Sequence, residues 1–340
     1  MNGGRKTYTV LIDVFSYCNL RCPSCIVGNK FGRMEDWPKG LMTPYLLDAI
    51  ITKAKSEFEI ECIGVYNWTE PLLHPRLYEL IEVINTHGVL TAISTNLNVS
   101  RSYDFERLLA ARPAWMRVSL SGFSQAVYER GHAGGDIELV KRHLVSLARA
   151  RDKFGIDPSN FQVFYHVYAY NMFEIELMQL FCVDLGLPFS TVYAQIFPVE
   201  KIIKISQGTV SEADRNLLVD LALPLDKALA ITSRVAAKTC RWLDRVLAIN
   251  VVGDVMLCCG SSMNAVNTIG PFLELSIDEI QAKRLRHQLC GPCLDLGIPD
   301  YFASSPPLTE AFDEIQKFPL RYRGAKWLGE RGKQQAAGGG

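Results

Sequence analysis

Strand-like and helix-like segments alternate along about the first 200 residues of this 340-residue chain. Runs of apolar and β-branched residues predict six strands, at 7–15, 60–66, 89–94, 115–120, 161–168 and 189–196. Between them, apolar side chains at helical spacing predict amphipathic helices, one beginning at Thr43-Pro44 and another at Asp136. This alternation favours parallel βα units, so we expect an α/β fold that binds ligands at the carboxyl ends of its strands.

The alternation stops at about residue 199. Beyond it, the sequence predicts a helix at 211–223 and a hairpin formed by 247–250 and 255–258. A capping box, Ser276-x-x-Glu279, predicts the start of a further short helix. We therefore expect a barrel domain at 1–200, a small second domain at 201–310 and a partly disordered tail at 311–340.

Composition and charge favour a globular, cytoplasmic protein. The 36 basic and 36 acidic side chains give a net charge of zero, so electrostatics provide no reason to expect nucleic acid or an anionic membrane as a partner. The sequence contains no run of about 18 apolar residues that would predict a membrane span. Its N-terminus lacks the apolar segment of a secretion signal. We expect its thiols to stay reduced.

The ten cysteines carry the most functional information. They stand at positions 18, 22, 25, 62, 182, 240, 258, 259, 290 and 293. A cytoplasmic enzyme of this size does not need disulfides to fold, so clustered thiols indicate a metal site or catalysis. Cys62 and Cys182 each lie singly in an apolar stretch, and we expect both to be core residues.

Three thiolates in one short loop can hold three irons of a cubane cluster and leave the fourth iron open. Ferredoxin-type clusters and structural zinc sites instead use four ligands. The loop Cys18-Asn-Leu-Arg-Cys22-Pro-Ser-Cys25 follows the first predicted strand, and it resembles the radical S-adenosylmethionine superfamily in spacing and position. The resemblance implies a partial (β/α)6 TIM-like barrel and a 4Fe-4S cluster whose open iron binds S-adenosylmethionine (SAM).

A second motif follows the second predicted strand. The stretch Tyr66-Asn-Trp-Thr-Glu-Pro71 resembles the Gly-Gly-Glu-Pro stretch of the same superfamily, with Trp68 and Thr69 in place of the glycines. The resemblance implies that Glu70 and Pro71 lie at the cofactor. The Glu70 carboxylate would then contact the amino group of the methionine moiety, which its charge favours. The alternative is that Glu70 is a solvated loop acid.

Polar residues at the ends of the third and fourth predicted strands are similar to superfamily positions that contact the cofactor. These residues are Ser94, Thr95, Asn96, Ser119 and Ser121. Short polar residues in such places can instead be ordinary turn formers. The segment Tyr128-Glu-Arg130 resembles one whose arginine pairs with the methionine carboxylate, and the alternative for Arg130 is a surface charge.

A second set of cysteines lies in the C-terminal part of the chain. The pattern Cys240-x12-Gly253-x4-Cys258, followed by Cys290-x2-Cys293, resembles the twitch domain, a shorter relative of the SPASM extension. The resemblance implies a small iron-sulfur domain with one auxiliary 4Fe-4S cluster. Its four ligands would be Cys240, Cys258, Cys290 and Cys293. A zinc ribbon without a redox role is the competing interpretation.

Cys259 directly follows one of these expected ligands. Neighbouring residues of a strand point to opposite faces, so Cys258 and Cys259 cannot easily bind one iron together. The spacing from Gly253 favours Cys258 as the ligand. Cys259 is then either a structural residue or a catalytic thiol that donates hydrogen to a substrate radical.

The resemblance implies reductive cleavage of SAM to methionine and a 5′-deoxyadenosyl radical, which abstracts hydrogen from a substrate carbon. A flavodoxin- or ferredoxin-type partner would supply the electron. Three functions stay open: dehydrogenation or epimerisation of a small polar metabolite such as a sugar or aminocyclitol, crosslinking of a ribosomal peptide, and a non-catalytic iron-sulfur or zinc scaffold. The first predicted strand begins at about residue 7, which leaves no room for a leader-binding domain and favours the small molecule.

Overall fold

The computed structural model describes residues 5–29, 37–235 and 239–322, with side chains as far as residue 314. Its strands are β1 (Thr7–Ile12), β2 (Glu59–Gly64), β3 (Thr91–Thr95), β4 (Trp115–Leu120), β5 (Phe161–Val167), β6 (Phe189–Tyr193), β7 (Val246–Ile249), β8 (Asp254–Met256) and β9 (Thr268–Pro271). Each of the six strands predicted in the first part of the chain is present, within a few residues at either end. The predicted α/β fold class is therefore confirmed.

Helices alternate with the first six strands and continue beyond them. They are α1 (Pro44–Glu57), α2 (Leu77–Thr86), α3 (Phe105–Ala110), α4 (Gln125–Gly131), α5 (Ile137–Lys153), α6 (Ile175–Asp184), α7 (Val199–Ser206), α8 (Glu212–Asp220), α9 (Leu225–Val235), α10 (Arg241–Arg245), α11 (Ile277–Leu285), α12 (Cys290–Asp295), α13 (Ile298–Phe302) and α14 (Pro306–Tyr322). None of the helices in the described ranges has both the length and the apolar character needed to cross a membrane.

Side-chain caps explain where several helices begin. The Thr43 hydroxyl accepts a hydrogen bond from the Leu46 amide at 3.1 Å, and the Asp136 carboxylate accepts one from the Leu139 amide at 3.0 Å. Such bonds satisfy amide groups that the first helical turn leaves unpaired. Both predicted helix starts are confirmed, as is the capping box at Ser276, which opens α11.

The part of the chain after residue 199 contains more helix than its sequence pattern predicts. The predicted helix at 211–223 corresponds to α8, and the predicted hairpin corresponds to β7 and β8. Helices α7, α9, α10, α12, α13 and α14 have no counterpart in the prediction. Helix α14 includes the first residues of the predicted tail, and residues 323–340 lie outside the described ranges.

The nine strands of the described residues form one open sheet, in the order β6-β5-β4-β3-β2-β1-β7-β8-β9. Strands β1 to β6 pair in parallel, as successive βα units require. Strand β7 pairs in parallel with the other edge of β1, and β8 and β9 follow in antiparallel pairing. The second part of the chain thus continues the sheet of the first, whereas the domain boundaries at 200 and 310 stay a prediction.

The side chains of the sheet alternate between a helix-covered face and an inner face. On β4, Met116, Val118 and Leu120 are buried in the main apolar core, whereas Arg117 and Ser119 are only partly buried on the other side. Strand β5 shows the same alternation. We call the side that carries Arg117 and Ser119 the inner face. Ser119, close to the carboxyl end of β4, lies where a fold of this kind binds its ligands.

Candidate functional site

The loop that follows β1 brings three thiols together. The Cys25 amide donates to the Cys22 carbonyl at 3.0 Å, which forms a tight turn. Gly28 closes this loop so tightly that a Cβ atom there would lie 2.1 Å from the Cys22 carbonyl oxygen, so only glycine fits. Burial raises the pKa of the Cys22 thiol, and the charges of Cys25 and Cys18 raise it further. The three cysteines predicted as ligands are therefore electrostatic neighbours.

These thiols have the chemistry that an iron-sulfur cluster requires. All three are free, and burial raises the pKa of Cys18 to about 12 and that of Cys25 to about 11. Such thiols stay protonated at neutral pH unless a cation stabilises the thiolate, as iron does. In the described ranges, no three His, Cys, Asp or Glu side chains are arranged to hold a single metal ion. A cubane cluster places each thiolate on a separate iron.

Glu70 lies beside these thiols in a buried hydrogen-bond network. Glu70 is 3% exposed. Its carboxylate accepts hydrogen bonds from the Thr95 hydroxyl at 2.6 Å, the Asn96 amide at 2.7 Å and the Leu72 amide at 3.1 Å. The interpretation of Glu70 as a solvated loop acid is therefore wrong. Burial raises the pKa of Glu70 to about 7, so a cation bound nearby would favour its ionised form.

The end of β3 links Glu70 to the cysteine loop. Two hydrogen bonds hold Asn96 in place. Its side-chain amide donates to Cys18 Sγ at 3.7 Å, and its backbone amide donates to Glu70. Pro71 begins a short 3-10 turn that Glu70 caps. Four residues predicted to bind the cofactor thus lie together next to Cys18, namely Glu70, Pro71, Thr95 and Asn96.

The predicted serines at the ends of β3 and β4 have partners within the protein. Ser94 Oγ accepts a hydrogen bond from Arg117 Nε at 3.0 Å. Ser121 is buried and shares a hydrogen bond of 2.6 Å with the His132 ring, which also bonds to the backbone of Ser119. These bonds fix the serines near the strand ends, and their contacts with a cofactor stay predictions.

Arg130 lies at the surface. Its guanidinium pairs with Asp220 at 2.8 Å and lies over the Tyr170 ring, 3.8 Å from the ring centroid. These contacts match the alternative interpretation of Arg130 as a surface charge. The predicted contact with the methionine carboxylate stays a prediction, and it would require Arg130 to leave Asp220.

The second set of cysteines lines one cavity. Cys240 precedes α10, Cys258 follows β8, and Cys290 and Cys293 belong to α12. The cavity measures about 30 Å³ and is partly open to solvent. Its other lining residues are all apolar: Val199, Leu243, Leu257, Leu289, Leu294 and Pro299. Four thiols that face one apolar cavity fit the ligand set of an auxiliary iron-sulfur cluster.

Arg284 is a charged neighbour of this cavity that sequence reasoning missed. It is 0% exposed, and its guanidinium donates to the carbonyls of Leu257 at 2.7 Å, Val246 at 2.8 Å and Leu243 at 3.3 Å. No carboxylate in the described ranges forms an ion pair with it. Burial lowers the pKa of Arg284, and negative charge on the neighbouring thiols opposes that shift. A cation in this position suits a site that holds anionic sulfur.

Cys259 is not among the residues that line this cavity. It packs against an apolar cluster that contains Trp68 and that Cys25 also contacts. Strand β8 ends at residue 256, so Cys258 and Cys259 lie in the loop after it and the strand geometry expected for them is wrong. Burial raises the pKa of Cys259, and the charge of Cys258 raises it further. Burial is the main cause that raises the pKa of Tyr66, and the charge of Cys259 adds to it. Cys259 therefore lies between the two cysteine sets, close to Tyr66.

Asp13, directly after β1, is another residue that sequence reasoning missed. Its Oδ1 accepts hydrogen bonds from the Trp68 amide at 2.9 Å, the Thr69 amide at 3.0 Å and the Thr69 hydroxyl at 2.7 Å. Asp13 thus holds the loop in which Trp68 and Thr69 stand where the superfamily has glycines. Burial raises the pKa of Asp13 to about 6. An acid at the end of an otherwise apolar strand is the signal that could have identified it.

The raised pKa of Glu70 predicts a pH dependence of stability. Folded Glu70 keeps its proton up to about pH 7, whereas the ordinary glutamate pKa is 4.5. Between these values the folded state binds more protons than the unfolded state, so the free energy of unfolding falls as pH rises, by up to about 3 kcal/mol from this group. Urea unfolding of oxygen-protected protein between about pH 5 and pH 7 measures this fall, which we expect to be smaller in a Glu70→Gln variant.

Glu79→Gln is the matched control. Glu79 is paired with Arg76, which lowers its pKa, so it titrates below this pH window. Asp13 adds a slope of the same sign to every variant. An equal pH dependence in the Glu70→Gln and Glu79→Gln variants would contradict the assigned pKa of Glu70.

No protein-family model and no curated protein matches this sequence. Solved structures do match. SuiB from Streptococcus suis bound to S-adenosylmethionine aligns with a TM-score of 0.55 and 14% identity, over 90% of this chain and 76% of SuiB. The structure of anSMEcpe with bound AdoMet aligns with a TM-score of 0.54 and 12% identity, over 92% of this chain and 99% of anSMEcpe.

SuiB bound to its precursor peptide SuiA aligns with a TM-score of 0.51 and 15% identity, over 81% of this chain and 64% of SuiB. At such identities the likeness concerns the fold. This chain therefore shares the fold of two proteins that are solved with bound S-adenosylmethionine, the cofactor that its first cysteine motif predicts.

Proposed function

We propose that this chain is a radical SAM enzyme. The observation that carries the proposal is the group in which Asn96 bonds to both Cys18 and Glu70, beside Cys22 and Cys25, at the strand ends of this fold. Bound to the three thiolates, a 4Fe-4S cluster would supply the electron that cleaves SAM to methionine and a 5′-deoxyadenosyl radical. Three protein ligands leave one iron for the cofactor.

Glu70 is proposed to receive the amino group of the methionine moiety. Its two oxygens accept hydrogen bonds from Thr95, Asn96 and Leu72, which fix the carboxylate in one orientation. A carboxylate oxygen has more than one acceptor position, so these bonds leave room for a cationic donor. Because burial opposes the ionised form, binding of the ammonium group would stabilise a charge that the fold alone disfavours.

The cavity lined by Cys240, Cys258, Cys290 and Cys293 is the proposed auxiliary site. Bound there, a second 4Fe-4S cluster would supply an acceptor for the electron of a substrate radical, which allows a net two-electron oxidation. The chain contributes four thiolates, so no iron is left open to substrate. Arg284 would offset the negative charge of these ligands from its buried position.

We propose a small polar metabolite as substrate, with dehydrogenation or epimerisation as the net reaction and a flavodoxin- or ferredoxin-type electron donor. Support comes from the polar side chains that the inner face carries, among them Tyr66, Arg117 and His166. Peptide modification is the second candidate, because SuiB, which shares the fold, is solved with a precursor peptide. A metal scaffold without catalysis would lack SAM cleavage altogether.

Replacing any cysteine of the first trio tests the central proposal. Anaerobically reconstituted protein is expected to bind about eight irons and to form 5′-deoxyadenosine when reductant is present. Alanine at Cys18, Cys22 or Cys25 should lower iron to about four per chain and abolish 5′-deoxyadenosine, because each variant lacks one cluster ligand. Iron analysis and chromatography of the nucleoside measure both results.

Cys182→Ala is the control, since Cys182 is buried in the main core and burial alone raises its pKa, without a contribution from either cysteine set. We expect it to keep its iron and its SAM cleavage. Cleavage that persists in the trio variants would refute the assignment of the first cluster to these three cysteines. Zinc bound in place of iron, with no cleavage by the wild-type protein, would favour the scaffold and refute the enzyme.

The auxiliary site has a prediction of its own. Cys290→Ala should lower iron from about eight to about four per chain while SAM cleavage continues, because the first cluster keeps its ligands. Arg284→Met should also lower auxiliary iron occupancy, since it removes the cation beside the thiolates. Arg284→Lys should retain more iron than Arg284→Met. A full iron content in Cys290→Ala would show that the cavity is not the second cluster site.

Cys259 is proposed as the hydrogen donor if the reaction is an epimerisation. Its thiol would give a hydrogen atom to the substrate radical, and the resulting thiyl radical would need one electron and one proton to return to the thiol. Cys259→Ala should then uncouple the reaction, so that 5′-deoxyadenosine still forms while product is lost. Cys62→Ala is the control, because Cys62 also lies near Tyr66. An unchanged product yield in Cys259→Ala would exclude this role.

A further inference from the structure

Arg117 is a cation on the inner face for which the described protein provides no anion. It lies in the middle of β4, where residues 116 and 118 turn towards the helices. Its Nε donates to Ser94 Oγ at 3.0 Å, and its guanidinium lies 5.4 Å from the ring centroids of Tyr66 and Phe164. Within residues 5–29, 37–235 and 239–322, no carboxylate pairs with it. Its two terminal nitrogens therefore keep their donors for another group.

Two further polar side chains converge on the same place. Tyr66 follows β2 and contacts the guanidinium through its ring, while His166 on β5 lies close enough for Arg117 to influence it. Burial lowers the pKa of His166 to about 4, and the charge of Arg117 contributes. His166 is therefore neutral at physiological pH. Neither the Tyr66 hydroxyl nor the His166 ring has a hydrogen-bond partner among the described residues.

The surroundings of Arg117 destabilise the charged form of its guanidinium. Partial burial lowers the pKa of Arg117, which means that its charged form is less well solvated than in water. Two aromatic rings offset only part of this cost, because a cation–π contact contributes about 0.5–2 kcal/mol. A cation kept at such a position is typical of a binding site, where a ligand supplies the missing opposite charge.

We propose that Arg117 anchors an anionic group, a carboxylate or a phosphate, of the substrate. A guanidinium offers a planar pair of donors that matches both groups. Tyr66 and His166 lie beside it and can bind the remaining oxygens of the anion. This inference rests on the proposed function, since it assigns a charge to the substrate of that same site. Tyr66 also neighbours Cys259, so the anchored group would lie close to the proposed reaction space.

The test measures anion binding by the reconstituted, SAM-loaded holoenzyme. Acetate and inorganic phosphate are the two probes, with chloride at equal ionic strength as reference, and the readout is the rise in melting temperature with probe concentration. We expect one probe to stabilise the wild-type protein beyond chloride. The acetate arm reports a carboxylate site, and the phosphate arm reports a phosphate site. In Arg117→Gln the apparent dissociation constant should be weaker by about tenfold or more, with Arg117→Lys intermediate.

Arg107→Gln is the matched control, because Arg107 also lies over a tyrosine ring, at 3.6 Å from the Tyr78 centroid, but on the exposed surface of α3. Its anion response should equal that of the wild type. Arg117→Met provides a second measurement: without probe it should melt no lower than the wild type, because it removes an unpaired cation. A merely structural role for Arg117 would instead lower its melting temperature.

Three results would overturn the proposal: no response of the wild type to either probe beyond chloride, equal responses of wild type and Arg117→Gln, or a loss of SAM affinity in Arg117→Gln. The last result would assign the guanidinium to the methionine carboxylate of the cofactor. Failure of the proposed function is a separate observation, since it would appear as absent 5′-deoxyadenosine formation by wild-type protein whatever the anion response.

Discussion

Strand β1 is the element on which the rest of the site depends, because it pairs in parallel on both sides, with β2 and with β7. Backbone hydrogen bonds in a parallel pair fix the register of the strands. The chain that leaves β1 carries the first cysteines, the chain that leaves β2 carries Glu70, and the chain around β7 and β8 carries Cys240 and Cys258 of the second set. One strand therefore helps to position the first set and half of the second before any cofactor is bound.

Charges within this framework are opposite in sign to the groups proposed next to them. Glu70 is an acid beside the proposed site of an ammonium group, and Arg284 is a cation beside four thiolates. Arg117 is a cation where an anionic substrate is proposed. Each is held by hydrogen bonds or aromatic rings rather than by an opposite charge of the described chain. The fold thus accepts an electrostatic cost that binding would relieve.

Local patterns in the sequence predicted the six strands, several helix caps and the spacing of the cysteines, because each of these depends on residues close together in the chain. The pairing of β7 with β1 depends on hydrogen bonds between residues far apart, and no local pattern contains it. Arg130 shows the same limit, because its partner Asp220 lies 90 positions along the chain. No local sequence pattern distinguishes Arg117 and Arg284 from surface arginines, and only the packing of the folded chain shows that they are buried.

Motif resemblance contributed what periodicity could not. It predicted that Glu70 and Asn96 lie near Cys18, and the structure places them in one hydrogen-bond network. It gave no indication of Asp13, whose bonds hold the loop in which Trp68 and Thr69 replace the glycines of the motif. A departure from a motif can therefore be accommodated by a residue outside the motif, which sequence comparison of the motif alone does not detect.

Three backbone carbonyls surround the Arg284 guanidinium. The stability of this segment in air would therefore depend on whether the proposed auxiliary site holds its iron. If oxidation strips iron from the proposed auxiliary site, the sulfur ligands return to neutral thiols, because burial holds their pKa values high. Arg284 would then be a buried charge surrounded by neutral groups, and the segment that contains it would open more readily. Cellular proteases degrade chains that open in this way, so copies that have lost this metal would be cleared.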